Sequence, residues 1–198
     1  APLRPAPLWE HYPLFFTELG LFRLLERQPV QHAYNLFFPL QLSGEIDAAA
    51  LEASFLSSLV RHDNLRTAFT VEDGQSTRRI LPQVDWRLAV ADLSALPSDA
   101  KDAAITAACE RIRHRTFELA RPPLFAAELL QLSPTKAILL LSVSHMAMDA
   151  FSAGILLRDL GTAYEAARRG ESVTLPPLPI RCADYAVYCE ERFREVLA

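Results

Sequence analysis

Cysteine is scarce in this sequence. The 198 residues contain three cysteines, Cys109, Cys182 and Cys189, which is an odd number, and no two of them form a CxxC pair. A disulfide framework and a structural zinc site both need more cysteines or closer spacing than this. We therefore expect reduced thiols, which are typical of a protein of the cytoplasm.

The sequence also lacks an excess of positive charge and a long apolar run. There are 24 acidic and 20 basic residues, which gives a net charge of −4. A nucleic-acid-binding surface normally needs the opposite balance. No apolar run reaches the roughly 18 residues that a membrane-spanning helix requires. We expect neither nucleic acid nor a membrane among the partners.

Apolar residues are abundant enough for one ordinary domain. They make up 51% of the chain, which suffices for a core at this length. The opening APLRPAPLWE is rich in proline and has no apolar signal core. We expect a linker or lead-in segment over residues 1–16 and a folded unit over residues 17–198. The absence of an initial Met suggests a fragment of a longer protein.

Helices and strands are mixed along the chain without a regular β-α-β order. Helical spacing of apolar residues predicts helices over 17–26, 48–63, 98–115, 152–169 and 182–197. Strands are predicted over 34–42, 65–71, 77–82, 86–93, 124–132 and 136–145, the last two forming a hairpin around the turn SPT. This mixture predicts an α/β fold, with helices packed on a mainly antiparallel or mixed sheet in two layers.

A His ends the most apolar strand of the chain. His145 follows the run KAILLLSVS, where a rigid backbone would let its ring face a cleft. A neutral imidazole in such a place can act as a general base near pH 7. A His packed in the core without any chemistry fits the same pattern. Ser144 is not its nucleophilic partner, because adjacent strand residues point to opposite faces.

Asp149 lies four residues after that His in an apolar neighbourhood. It could orient His145, cap a helix beginning at Ser152, or form a salt bridge with a distant Arg. A metal site is poorly supported, because no third ligand lies near this His and Asp. Arg66, between Leu65 and Thr67 in RHDNLRTAF, is either exposed at the start of a strand or buried. If buried, it needs an anion, and Asp149 is the obvious candidate.

Several stretches together resemble condensation domains of nonribosomal peptide synthetases. RHDNLRTAF is similar to the family motif R-H-E-x-L-R-T-x-F, and SHMAMDAFS is similar to H-H-x-x-x-D-G. RTFELARPPLFAAELLQL and RCADYAVYCEE resemble two further segments of the family, in the right order. Residues 17–63 resemble the opening helix, first strand and following helix. The resemblance covers nearly the whole chain.

This resemblance implies a chloramphenicol-acetyltransferase-like fold and an acyltransferase that forms amide bonds. Residues 17–198 correspond to the N-terminal, donor-side subdomain, and the C-terminal subdomain is absent from this chain. The partners implied are that second half and two carrier proteins, which deliver donor and acceptor on 4′-phosphopantetheine arms. No directly bound cofactor is implied. His145 is the implied catalytic base or amine-positioning group, and Asp149 and Arg66 are the implied structural salt bridge.

Two positions depart from the family pattern. Ser144 replaces the first motif His, and Ala150 replaces the motif Gly. The resemblance implies a substrate tunnel beside this Gly, and the added methyl group of Ala150 would narrow it. These departures leave two alternatives open. One is a degenerate condensation-like domain that recruits a carrier protein or a tailoring enzyme. The other is an ester-forming domain, in which a hydroxyl group takes the place of the amine. We expect residues 1–198 alone to form no amide product.

Overall fold

The computed structural model describes residues 2–27, 31–173 and 175–197. Within these ranges the chain forms helices and strands in a mixed order. The helices are α1 (Phe16–Arg27), α2 (Ala48–Arg61), α3 (Ser98–Arg113), α4 (Ala150–Arg168) and α5 (Cys182–Leu197). The strands are β1 (Tyr12–Pro13), β2 (Asn35–Ser43), β3 (Thr67–Glu72), β4 (Gln75–Ile80), β5 (Ala89–Asp92), β6 (Phe125–Ser133) and β7 (Lys136–Ser144).

The strands form two sheets. The larger has the order β2-β7-β6-β5, in which β7 pairs antiparallel with both neighbours and β5 pairs parallel with β6. The smaller has the order β1-β4-β3 and is antiparallel. The predicted α/β fold with helices on a mainly antiparallel or mixed sheet is therefore confirmed, although the strands divide between two sheets.

The β6–β7 hairpin forms the centre of the core. Both strands are long apolar runs with buried residues on both faces, as expected for inner strands covered by other elements. Beside them, the rings of Phe55, Trp86 and Phe125 pack together, with centroids 4.9 to 6.0 Å apart. Pro39 lies in β2 at the edge of the sheet, where a missing backbone donor is tolerated.

Helix α2 begins where the sequence predicts and ends two residues before the predicted end at residue 63. The Asp47 side chain accepts a hydrogen bond from Ala50 N at 2.9 Å, which is the N-cap contact expected for this helix. The helix ends at Arg61, and a 3₁₀ helix over Asp63–Arg66 then leads directly into β3. The motif RHDNLRTAF therefore forms a tight connection from helix to strand beside the end of β7.

The second half of the predicted linker packs onto the folded unit. Tyr12 is buried, and β1 pairs with β4 through Tyr12 and Pro13. Ala6 N donates to the Asp184 carboxylate at 3.1 Å, and Arg181 holds the same carboxylate. These contacts hold Ala6 against α5 and Tyr12 and Pro13 against β4, while Leu8 and Trp9 between them stay exposed. The division of the chain into a linker and a subdomain remains a prediction.

Candidate functional site

A cleft of about 280 Å³ opens at the carboxyl end of β7. Its walls come from the start of α1, the 3₁₀ helix before β3, the loop that follows β7, the first turn of α4 and the first residue of α5. The polar side chains along these walls are Thr17, Glu18, Asn64, His145, Asp149, Ser152 and Cys182. The cleft therefore brings together the two family-like motifs, which are about 80 residues apart in the sequence.

The backbone around His145 is held by the neighbouring strands. His145 N donates to Tyr34 O at 2.9 Å, and Ser144 N donates to Leu124 O at 2.8 Å. Its side chain is exposed and lines the cleft. This placement excludes the alternative of a His packed in the core. A rigid backbone with an accessible ring is the arrangement that a general base needs.

Asp149 caps α4 and does not pair with Arg66. Its Oδ1 accepts hydrogen bonds from Ser152 N at 2.7 Å and Ser152 Oγ at 2.6 Å. These hydrogen bonds lower the pKa of Asp149, and the nearby His145 ring adds to the same effect. Helix α4 therefore begins at Ala150, two residues earlier than the sequence predicts. Of the three roles considered for Asp149, the N-cap is the observed one.

The predicted salt bridge between Arg66 and Asp149 is wrong for this structure. The guanidinium of Arg66 pairs with Asp63, three residues earlier in the same 3₁₀ helix. It also donates to Leu59 O at 3.1 Å and to Leu81 O. Each charged side chain therefore has partners close by in the sequence or the fold. Arg66 donates to the Asp63 carboxylate and to two backbone carbonyls, and Asp149 accepts hydrogen bonds from the first turn of α4.

The two departures from the family pattern occupy different environments. Ser144 is buried, and its Oγ accepts a 3.4 Å hydrogen bond from Met146 N in the turn after β7. Ala150 begins α4 with its side chain exposed. Ser144 thus has a structural contact. The effect of Ala150 on a substrate tunnel remains a prediction.

Sequence reasoning missed a buried ion pair below the cleft. Arg78, with 1% of its side chain exposed, pairs with Glu18 of α1. Burial raises the pKa of Glu18, and the neighbouring guanidinium opposes that rise. Glu18 precedes Phe22 by four residues and Leu25 by seven, so it lies on the apolar face of the helix. That spacing was the available signal of a buried acid.

The chemistry available here is that of an imidazole. Within residues 2–27, 31–173 and 175–197, no three His, Cys, Asp or Glu side chains group as metal ligands would. In the same ranges, no helix combines the length and the apolar content that crossing a membrane requires. The three cysteines are free thiols. The cleft thus offers one exposed imidazole beside a capped helix terminus.

Comparisons with known proteins give matches over nearly the whole chain. A sequence model of the condensation domain matches residues 9–195. One of the linear gramicidin synthase subunits of Brevibacillus parabrevis is 39% identical over 190 residues, which cover 96% of this chain and 4% of that protein. The X-domain from teicoplanin biosynthesis superposes with a TM-score of 0.85 at 29% identity, over 98% of this chain and 41% of that one.

A second solved structure contains the same kind of domain with a bound protein. It is a complex of the X-domain and OxyB from teicoplanin biosynthesis, and its TM-score is 0.81 at 28% identity, over 98% of this chain and 41% of that chain. These structures confirm the predicted chloramphenicol-acetyltransferase-like fold. The chain spans less than half the length of these solved domains and a small fraction of the synthase.

Proposed function

The chain belongs to the condensation-domain family, and on that premise we propose that it supplies the donor-side half of a peptide-bond-forming site. The substrates are an acyl or peptidyl thioester and an acceptor amine, each tethered to a carrier protein through a 4′-phosphopantetheine arm. The observation that carries this proposal is the exposed ring of His145 on a rigid strand end, facing a cleft.

The reaction assigned to the site balances without an oxidant or a metal. The acceptor nitrogen attacks the thioester carbonyl, so that a C–N bond forms and the C–S bond breaks. The amine loses a proton and the departing thiolate gains one. His145 takes up the proton from the nitrogen, or holds the amine in line with the carbonyl, and the two roles need the same placement of the ring.

The surface beside the cleft supports a second half-domain as the partner. Phe16 at the start of α1 is 89% exposed, and Phe151 in the first turn of α4 is 91% exposed. Ile155, one turn further along α4, is also exposed. Large apolar side chains left exposed on elements that line a cleft are typical of a surface that another folded unit covers. We assign that role to the C-terminal subdomain, which would also close the site against water.

A product assay tests this function. On this proposal the chain is the donor-side half of a complete domain, called below the condensation-domain protein. That protein is mixed with a donor-loaded and an acceptor-loaded carrier protein, and the acceptor carrier is analysed by intact-protein mass spectrometry. We expect the mass of the donor acyl group to be added to the loaded acceptor carrier. Thioester cleavage should then release the donor and acceptor groups still joined by an amide bond. No transfer to the acceptor in the presence of both loaded carriers would overturn the proposal.

A partner-recruiting role is the second candidate. The observations that favour it are Ser144 in place of the first motif His and the similarity to an X-domain solved in complex with OxyB. Such a domain would retain a tailoring enzyme or a carrier in a pull-down and would form no product. An ester-forming domain would use the same imidazole on a hydroxyl group, and an acceptor carrier loaded with a hydroxy acid distinguishes it. A cytoplasmic location stays a prediction.

A further inference from the structure

Hydrogen bonds from the side chain of Asn64 hold the loop that follows β7. Asn64 Nδ2 donates to Ala147 O at 2.7 Å, with a longer contact of 3.4 Å to Met146 O. We call residues 145–149 the His145 loop. Asn64 belongs to the motif RHDNLRTAF, so this bond joins the two family-like motifs directly. This hydrogen bond is a different contact from the salt bridge between Arg66 and Asp149 that the sequence suggested.

The backbone of Asn64 is itself well fixed. In the 3₁₀ helix around it, Leu65 N donates to His62 O at 3.0 Å and Thr67 Oγ1 donates to Asp63 O at 2.8 Å. A side chain on such a turn has little freedom to move away from the His145 loop. The position of Ala147 is therefore set by α2 and β3 as well as by the end of β7.

The orientation of the Asn64 amide follows from its neighbours. Arg78 Nη1 lies 3.4 Å from Asn64 Oδ1, on the side of the amide away from the His145 loop. A guanidinium only donates hydrogen bonds and a backbone carbonyl only accepts them. The Asn64 oxygen must therefore face Arg78, and its NH₂ group must face Ala147 O. Reversing the amide would place two acceptors together on one side and two donors together on the other.

Arg78 is held where it can impose this orientation. It is buried between the rings of Phe15 and Phe69, whose centroids lie 5.8 and 5.6 Å from its Cζ, and it pairs with Glu18. A buried ion pair is commonly no more stabilising than an apolar pair of the same volume. Stability is therefore a weak reason for two buried charges directly below the cleft. The contact of Arg78 with the Asn64 oxygen gives the pair a second role, the placement of a neighbouring polar group.

We propose that Asn64, oriented by Arg78, is a positioning residue that fixes the His145 loop and with it the direction in which the imidazole enters the cleft. The importance of that direction for catalysis rests on the proposed function, whereas the fastening of the loop does not. Glu18 is the counter-ion that allows Arg78 to be buried. None of these three residues needs to touch substrate for this role.

Hydrogen exchange on the 198-residue chain tests the fastening without any activity. In the loop, Ala147 N donates to Ser144 O at 2.9 Å, and its exchange rate reports local opening. Asn64→Asp keeps an acceptor toward Arg78 but loses the donor to Ala147 O. We expect the Ala147 amide to exchange about tenfold faster, with the amides in the middle of β7 unchanged. Asn64→Ala should also speed the exchange of the Ala147 amide. Because Ala carries no charge, this variant shows whether the effect of Asn64→Asp comes from its added negative charge.

Asn35 provides a matched control. Its Nδ2 donates to Arg115 O at 2.7 Å, and it lies opposite Ser144 in the β2–β7 pairing. Asn35→Asp makes the same chemical change to a bond of the same length near the same strand end. It should leave Ala147 exchange as in the wild type. Unchanged Ala147 exchange in both Asn64 variants, or equal acceleration by Asn35→Asp, would overturn the proposal.

Kinetics of the condensation-domain protein separate positioning from the proposed function itself. Asn64→Ala should lower kcat and leave KM for the acceptor carrier nearly constant, because Asn64 is a partly buried side chain beneath the loop and the substitution changes no exposed side chain on which a carrier protein would dock. The double variant Arg78→Met with Glu18→Gln removes both buried charges together and should lower kcat in the same way. A KM effect alone would contradict the positioning role. If His145→Ala retains full activity while Ala147 exchange still responds to Asn64, the proposed function fails and the fastening stands.

Discussion

Asp159 of α4 accepts a hydrogen bond from Arg61 Nε at 2.8 Å, with only 1% of its side chain exposed. His62 Nε2 lies 3.0 Å from the same carboxylate. This contact braces α4 against the end of α2, and both helices lead into the candidate site. The first Arg of the motif RHDNLRTAF thus finds its anion in α4, ten residues beyond Asp149.

Removing this carboxylate should destabilise the fold strongly. We expect Asp159→Ala to lower the free energy of unfolding by about 3–5 kcal/mol, because it leaves the partly buried Arg61 without its anion. Urea denaturation followed by circular dichroism measures the change. Asp102→Ala, on the exposed side of α3, is the control and should cost less than about 1 kcal/mol. Equal costs for the two variants would show that the brace is not a significant stabilising contact.

His62 should make stability depend on pH. Burial lowers the pKa of His62 below its ordinary value, and the attraction of Asp159 only partly offsets this. The unfolded chain therefore binds a proton more readily than the folded one. The contribution of His62 to stability is complete above about pH 6.5, and it is lost as the pH falls toward the pKa of His62 in the folded state. The slope of unfolding free energy against pH just below about 6.5 should be smaller in His62→Asn than in the wild type. Parallel slopes would contradict this.

Asp149 should behave as a helix cap rather than as half of a buried ion pair. We expect Asp149→Ala to cost about 1 kcal/mol, the usual value for loss of an N-cap. Asp149→Asn should cost little, because an Asn oxygen can accept the same hydrogen bonds from Ser152. Thermal unfolding of the two variants measures the difference. A loss of several kcal/mol in both would favour a buried charge pair for Asp149.

Residues 1–198 alone should form no amide product. The solved domains that this chain matches are more than twice its length, and a half-open cleft leaves the imidazole in water without an enclosed site. The same carrier-protein assay, run with the 198-residue chain in place of the larger protein, measures this. Turnover by the chain alone would refute the prediction and would place the whole site within the residues described above.

The local elements could be predicted from the sequence, because each carries its own signal. Asp47 marked the start of α2, and the two apolar runs around SPT marked the β6–β7 hairpin. The pairing of β1 with β4 could not be predicted, because a two-residue strand has no periodicity of its own. The end of an apolar strand marked His145 as a candidate, but it did not decide between a ring in a cleft and a ring in the core, because that depends on the elements packed around the strand end.

Long-range charge pairs were the least predictable feature. The sequence places many Arg and acidic residues within reach of one another, and the choice among them depends on the packing of whole elements. Arg66 forms its salt bridge with Asp63 in the same helical turn, whereas Arg61 forms one with Asp159 on another helix. Asp159 follows Leu156 by three residues on the buried face of α4, so helical spacing signalled its burial but not its partner.

The most direct test of the proposed function is the His145→Ala variant of the condensation-domain protein. His114→Ala is the matched control, since His114 is an exposed His at the end of α3. With both carrier proteins loaded, we predict that His145→Ala lowers the rate of amide formation about 100-fold or more and leaves the melting temperature unchanged, while His114→Ala retains the wild-type rate. Amide formation by His145→Ala at nearly the wild-type rate would contradict the central claim.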